Sequence, residues 1–417
     1  MKPPIARQGR WVPLLIFAVV LAVAVVALST VALGGTAETT ALSPTQTTVF
    51  TVSATDLGEY ADDPPAIASP AAILVHADSG KVLYERRADK QLRMASTTKI
   101  MTAILILENM DLSTPVTVSA KAAQTVEPKT WLREGDVLTV EQLLYALMVR
   151  SANSAAVALA EACSGSVDQF ADLMNQKAAE LGMSDTHFVN PNGLDADGHY
   201  STAADMALVA RYAMKNAKFR ELVSTETYSV ELPGRPEPIV FKNTNKLLGE
   251  VSWVTGIKTG LTPRAEQCFV GSASKNGISV ISVILGQPTS SVCWDESEAL
   301  LRYGLAQYKH VTLMDQGVTV AETTVPYQLD GALKLVTASA LEMDVYKEDE
   351  VTASVSVDKP VVLPVQAGDV YGSVDLTVDG KTVESVELVA DRSMEKTTLG
   401  SKLGYYWGRL GRWLGGN

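Results

Sequence analysis

Apolar and polar positions alternate in three different ways along this chain. First comes an almost unbroken apolar run from Trp11 to Leu33, preceded by Lys2, Arg7 and Arg10. A basic flank ahead of an apolar segment is a membrane-targeting pattern, with the basic end kept inside. The run is longer than an ordinary signal core and long enough to span a bilayer. Gly35-Thr36-Ala37 then supplies small residues where a signal peptidase can cut. Residues 1–37 therefore read as a signal peptide or a membrane anchor, and either one places the remainder outside the cytoplasm. Residues 38–70, rich in Thr, Ser, Ala and Pro, read as a flexible linker.

The second regime, residues 71–310, mixes periods. Ala72–His76 and Lys81–Tyr84 are short β-like runs around Asp78-Ser79-Gly80, which predicts a hairpin. Ile100–Leu107 is an apolar run that reads as a buried helix. Glu141–Val149 and Ala155–Ala162 are helical runs separated by a five-residue polar break, Arg150-Ser151-Ala152-Asn153-Ser154. Thr202–Ala217 reads as a helix, capped by Ser201 or Thr202, with Asp205 in its first turn. Gln267–Ser274 and Ile278–Leu285 flank an Asn-Gly turn, a strong hairpin signal. Glu296–Tyr308 is expected to close the domain as a helix. Hairpin, helices, hairpin and helix in that order predict an α+β fold, with helices packed on an antiparallel sheet.

The third regime is dense in Val and Thr, with turns at Asp315-Gln316-Gly317, Leu329-Asp330-Gly331, Ala367-Gly368 and Val378-Asp379-Gly380. Alternating runs such as Val351–Val357 predict a small β-sandwich over residues 311–395. In the segment 396–417, Leu399, Leu403, Tyr406, Trp407, Leu410, Trp413 and Leu414 recur at helical spacing beside Lys402, Arg409 and Arg412. No acidic residue follows Glu395. Such a segment suits a membrane interface, aromatics at headgroup depth and cations towards anionic lipid.

Composition narrows the classes. A chain of 417 residues with 47% hydrophobic and 20% charged residues is folded and long enough for two domains. Its net charge of -12 argues against nucleic acid as a partner, which needs a basic face. Three cysteines, Cys163, Cys268 and Cys293, are too few and too far apart for a disulfide framework or a zinc site. The four histidines are scattered, without a His-Glu-x-x-His pattern, so no metal or other cofactor is implied.

Candidate chemistry lies in three polar islands. Ser96 and Lys99 sit three residues apart at the head of the Ile100 run, one turn apart on one helix face. A serine needs a base to become a nucleophile. A lysine serves as that base only where its surroundings pull its pKa well below the usual value of roughly 10.4. Ser151 and Asn153 occupy the interhelix break, where they either cap a helix or face a cleft. Lys258-Thr259-Gly260 precedes the second hairpin and is expected on a strand edge. There a cation and a hydroxyl suit a carboxylate, and a glycine admits close backbone approach.

Ser-x-x-Lys, Ser-x-Asn and Lys-Thr-Gly in that order nearly reproduce the set found in β-lactamases and penicillin-binding proteins. From about Ala71 to Tyr308 the chain resembles the low-molecular-weight penicillin-binding proteins that are serine-type D-Ala-D-Ala carboxypeptidases. The likeness also covers Asn190-Pro191-Asn192-Gly193-Leu194-Asp195, Gly198–Ala203 and Asn243–Leu248. Leu261 and the pair Ala265-Glu266 depart from it: some members carry histidine or an aromatic after Lys-Thr-Gly, and the family usually has Ala-Gly at the latter place. The resemblance implies a β-lactamase/transpeptidase-like catalytic domain followed by a small all-β domain. It implies Ser96 as nucleophile, Lys99 as base and Ser151 as proton relay. Asn153, Lys258, Thr259 and Gly260 would bind substrate, and Leu261 would lend its backbone N–H. The implied substrate is the D-Ala-D-Ala end of a peptidoglycan pentapeptide stem, with β-lactams as covalent inhibitors. The tail would hold the enzyme at the outer face of the cytoplasmic membrane.

The same letters weigh against rivals. A class A β-lactamase carries a Glu-x-x-x-Asn segment between the second and third motifs, and none occurs between Asn153 and Lys258. No Gly-x-Ser-x-Gly occurs for a Ser-His-Asp hydrolase. A DD-endopeptidase or transpeptidase on the same fold remains the rival enzyme, and a β-lactam-sensing or cell-wall-binding protein the non-catalytic one. His199 is read as a packing or cleft-wall residue.

Overall fold

The computed structural model describes residues 47–60, 63–126, 132–324, 327 and 332–414. The targeting segment expected over residues 1–37 lies outside these. The chain forms two compact units, one of residues 60–308 and one that joins the chain before residue 60 to the chain from Lys309 onward. The first strand, β1 (Thr47–Ser53), belongs to the latter.

Unit 60–308 is built on a five-stranded antiparallel sheet. Its strands are β2 (Ala71–His76), β3 (Val82–Arg86), β8 (Val254–Thr262), β9 (Glu266–Lys275) and β10 (Ile278–Gln287), in the order β3-β2-β10-β9-β8. Two-stranded pairs, β4 (Pro115–Thr117) with β5 (Val137–Thr139) and β6 (Thr227–Val230) with β7 (Ile239–Lys242), lie outside it. The expected Asn-Gly turn joins β9 to β10, with Asn276 at φ +53° and Gly277 at φ +84°, the left-handed pair such hairpins demand. β8 is an edge strand, so Lys258-Thr259-Gly260 lies where the sequence puts it.

Seven helices of eight or more residues are described in this unit: α1 (Lys99–Asn109), α2 (Val140–Val149), α3 (Asn153–Ser164), α4 (Val167–Glu180), α5 (Ala203–Met214), α6 (Ala217–Ser224) and α7 (Ser290–Leu305). Their starts are chemically marked. Thr139 and Gln142 form a reciprocal capping box on α2. Ser166, Thr202 and Asn216 each accept a backbone N–H at the heads of α4, α5 and α6. All six residues of β2 are buried, which requires cover on both faces of the sheet. Gly304 of α7 lies against Leu74 and Val280, while Ile73, Val75, Ile281 and Val283 join the core that holds α1, α2 and α5. The closing helix runs from Ser290 to Leu305 rather than from Glu296 to Tyr308, and Tyr308 opens a strand.

The second unit is an antiparallel β structure. β11 (Tyr308–Met314), β12 (Thr319–Thr324), β13 (Ala332–Thr337), β14 (Leu341–Tyr346), β15 (Glu350–Val357), β16 (Val370–Val378) and β17 (Lys381–Ala390) follow one another. They form a six-stranded sheet, β1-β15-β16-β17-β13-β12, and a two-stranded one, β11-β14. The expected linker is corrected here. Residues 47–53 are not free chain but an edge strand, with Thr51 opposite Thr352 and Val52 buried. Their β-branched and aromatic content carries strand propensity that a bulk reading as Thr- and Ser-rich linker conceals. Beyond β17, α8 (Leu399–Leu414) is the expected amphipathic helix, exposing Leu399, Leu403, Tyr406, Trp407 and Leu410. Among the described residues no helix is long and apolar enough to cross a membrane.

Candidate active site

Ser96 does not stand on the α-helix itself but in a 3-10 turn, Ala95–Thr98, that runs directly into α1. Three residues per turn stack positions i and i+3, which aligns Ser96 with Lys99. Lys99 Nζ lies 2.8 Å from Ser96 Oγ. It also lies 2.7 Å from Asn153 Oδ1 and 2.5 Å from the Asn192 carbonyl. These three groups are uncharged, and the Lys99 side chain is fully buried.

Asn153 is the first residue of α3. The cap position, Ala152, makes no side-chain cap bond. Asn153 instead spans the site, its amide accepting from Lys99 and donating to the Val126 carbonyl at 2.7 Å. The helix-capping alternative for this island is therefore not realised. Ser151, half-buried two residues ahead, has left-handed backbone at φ +66°, and Ala95, just before Ser96, has φ +47°. Non-glycine residues pay for such conformations, and they gather at functional sites.

Two glycines hold the Ser96 turn from opposite sides. Gly193, at φ +82°, approaches so closely that a Cβ there would stand 1.9 Å from the Ala95 carbonyl oxygen. Gly260 of β8 faces the turn from the strand, and a Cβ on it would be 3.0 Å from the Ser96 backbone nitrogen. The Lys-Thr-Gly strand thus runs alongside Ser96. On that strand Lys258 is 1% exposed, donates to the Thr259 carbonyl at 3.0 Å, and is pushed down to about 7 by burial. Thr259 Oγ shares a 2.6 Å hydrogen bond with Thr244 Oγ. Leu261 is 63% exposed at the rim.

Sequence reasoning missed the partners that act through backbone. Asn192 contributes a carbonyl, and the Asn190–Gly193 turn that aims it is held by Asn190 Oδ1 accepting from Asn192 N and Gly193 N. The signal was the Asn-Pro-Asn-Gly string, a turn signature whose orientation a sequence does not show. His199 is a packing residue beneath the turn, as expected. The Val189 N–H donates to its Nδ1, so Nε2 carries the proton towards Thr98 Oγ at 2.9 Å. Burial lowers its pKa to about 4, so it stays neutral. Cys163, Cys268 and Cys293 are all free thiols.

Glu266, one of the two departures noted in the sequence, sits at φ +57°. That conformation favours glycine, which accounts for the glycine usual at this place in the resembled family.

Comparison with known proteins finds one family. A family model described as D-alanyl-D-alanine carboxypeptidase, peptidase S11, matches residues 59–289. The C-terminal domain of penicillin-binding protein 5 matches residues 308–396. The D-alanyl-D-alanine carboxypeptidase DacF of Bacillus subtilis is 33% identical over 334 residues, 78% of this chain and 85% of that protein. The crystal structure of penicillin binding protein 5 from Haemophilus influenzae superposes with a TM-score of 0.59 at 28% identity, over 81% of this chain and 100% of that one. The Streptomyces K15 DD-transpeptidase gives 0.57 at 34% identity, over 59% of this chain and 100% of the other.

Proposed function

The chain belongs to the D-alanyl-D-alanine carboxypeptidase family, and from that premise we propose that Ser96 cleaves the terminal D-alanine from peptidoglycan stem peptides through an acyl-enzyme. The observation that carries this reading is the set of partners around Lys99. A neutral amine has two N–H bonds and one lone pair. Asn153 Oδ1 and the Asn192 carbonyl can accept two N–H bonds from Nζ, and a neutral amine so held can turn its lone pair to the Ser96 hydroxyl 2.8 Å away. Full burial favours that neutral form.

Lys258 and Thr259 hold the substrate's terminal carboxylate. Ser96 Oγ attacks the penultimate carbonyl as its proton passes to Lys99. The backbone N–H groups of Ser96 and Leu261 bind the oxyanion, each worth roughly 3 to 4 kcal/mol in comparable sites. Gly260 lets the strand approach closely enough for that. Ser151 relays the proton to the leaving nitrogen, the C–N bond breaks, and D-alanine departs. Water then cleaves the Ser96 ester. A β-lactam acylates the same oxygen, and its opened ring leaves no separate fragment to depart. The apolar face of α8 lies in the outer surface of the cytoplasmic membrane, beside nascent peptidoglycan.

The test is D-alanine release from a peptide ending in Lys-D-Ala-D-Ala by the full chain in detergent. The wild type releases one D-alanine per peptide and Ser96→Ala none; release by Ser96→Ala contradicts the proposal. Likeness to a DD-transpeptidase favours a second reading, in which an amine replaces water as acceptor. Release that depends on added acceptor amine, with formation of a new peptide bond, decides for it.

A further inference from the structure

Three segments meet at Ser96: the turn that carries it, the 190–197 loop that supplies the Asn192 carbonyl, and the end of β8. The contacts between the loop and the strand end are concentrated on one carboxylate. Asp195 Oδ1 accepts from Thr262 Oγ at 2.9 Å, and Oδ2 accepts from the Arg264 backbone N–H at 3.3 Å. Thr262 Oγ in turn accepts from Ala265 N at 3.0 Å, so one hydroxyl ties the loop to the β8–β9 turn. Asp195 lies three residues beyond Asn192, and Thr262 two beyond Gly260.

We propose that Asp195 is a positioning residue, whose bonds to Thr262 and Arg264 N set the distance between the Asn192 carbonyl on one side of Ser96 and the Gly260–Leu261 backbone on the other. The inference rests on the Ser96–Lys99 reading above. The Ser96 turn is wedged between Gly193 and Gly260, so its position is fixed only while those two backbones keep their spacing. Thr262 is buried and Asp195 half-buried, which shelters the bond from water. The neighbouring Asp197 contrasts with it. Asp197 pairs with Arg93 at 3.4 Å and Arg264 at 3.3 Å, yet its side chain is 94% exposed, where ion pairs contribute little.

The experiment follows acylation of the full chain by a reporter penicillin, separating the saturating rate from the half-saturation concentration. Asp195→Ala and Thr262→Val each lower the saturating rate, on the order of 100-fold, the cost of misplacing reacting groups by about 1 Å. The half-saturation concentration moves far less. The double variant is no slower than the slower single one, because both remove the same link. Thr262→Ser, which keeps the hydroxyl, restores the rate, and Asp197→Ala stays within about twofold of wild type. Wild-type rates in Asp195→Ala, losses that multiply in the double variant, or no rescue by Thr262→Ser would overturn the proposal. If Asp195→Ala does not fold, the Thr262→Val and Thr262→Ser pair decides it alone. Absence of acylation in the wild type would instead overturn the nucleophile reading.

Discussion

The two units hide different things from water. Unit 60–308 buries Lys99, Lys258, His199, Asn153, Asn192, Asp205 and Glu296, groups that are costly to desolvate. Among the described residues from Lys309 onward, the buried polar side chains are the hydroxyls of Thr337 and Ser354, and Thr337 donates to the Asp315 carbonyl. An antiparallel β structure needs apolar alternation and little else. The proposed site, which brings a serine and two buried lysines together, cannot be built from apolar alternation alone. Polar burial is thus concentrated in the unit that carries the proposed site, and several substitutions probe how strict that contrast is.

The largest effect comes from adding one methyl group. In Gly193→Ala the new Cβ meets the Ala95 carbonyl at 1.9 Å, on a left-handed backbone. We expect at least about 100-fold loss of D-alanine release from displacement of the Ser96 turn. Gly372 in β16 is as crowded, its Cβ meeting the Ser356 carbonyl at 1.9 Å. Gly372→Ala should lower the thermal midpoint of the β unit while D-alanine release from a soluble peptide persists. Equal activity losses in the two variants would erase the contrast.

Next comes pH. Lys258 is charged below about 7 and neutral above it. Its hold on a carboxylate therefore weakens as pH rises, and KM for the D-Ala-D-Ala peptide should climb by up to about tenfold per pH unit. In Lys258→Met, KM should be high and flat across the same range. Stability runs the opposite way. The unfolded chain holds the extra proton between about 7 and 10.5, so stability rises with pH across that window. Chemical denaturation at several pH values should show that rise, and Lys258→Met should lose it.

His199 sharpens the comparison on the acid side. Its pKa falls from 6.5 to about 4 on folding, so the unfolded state binds more protons between those values. Stability declines as pH drops from 6.5 towards 4, by about 3 kcal/mol in all, and levels below. His199→Gln should flatten that slope in urea titrations.

The smallest effect belongs to Glu266→Gly, which relieves a left-handed glutamate and should stabilise by up to about 1 kcal/mol. A loss of stability there would mean that the Glu266 side chain has a role of its own.

Much of this was legible before the fold. The two hairpins, α1, α2, α3 and α5 follow from period and turn chemistry, and Ser96 meets Lys99 as their spacing implies, whereas the meeting of Asn153 with Lys99 was legible only through the family resemblance. Less legible were contacts made by backbone. The Asn192 carbonyl reveals nothing of its direction in sequence, and the fit of Gly193 and Gly260 against the Ser96 turn depends on chain segments far apart. α4 and α6 escaped notice because they are among the more polar helices, with Phe170, Met174, Phe219 and Leu222 as their main buried anchors. β1 was hidden in a stretch whose composition reads as linker, and only its pairing with β15 defines it.

The most direct test of the central claim is peptide mapping by mass spectrometry after incubation with a penicillin. The account predicts one adduct equal to the whole penicillin mass, on the peptide that contains Ser96, and none in Ser96→Ala. An unmodified Ser96, or an adduct on any other residue, would contradict it.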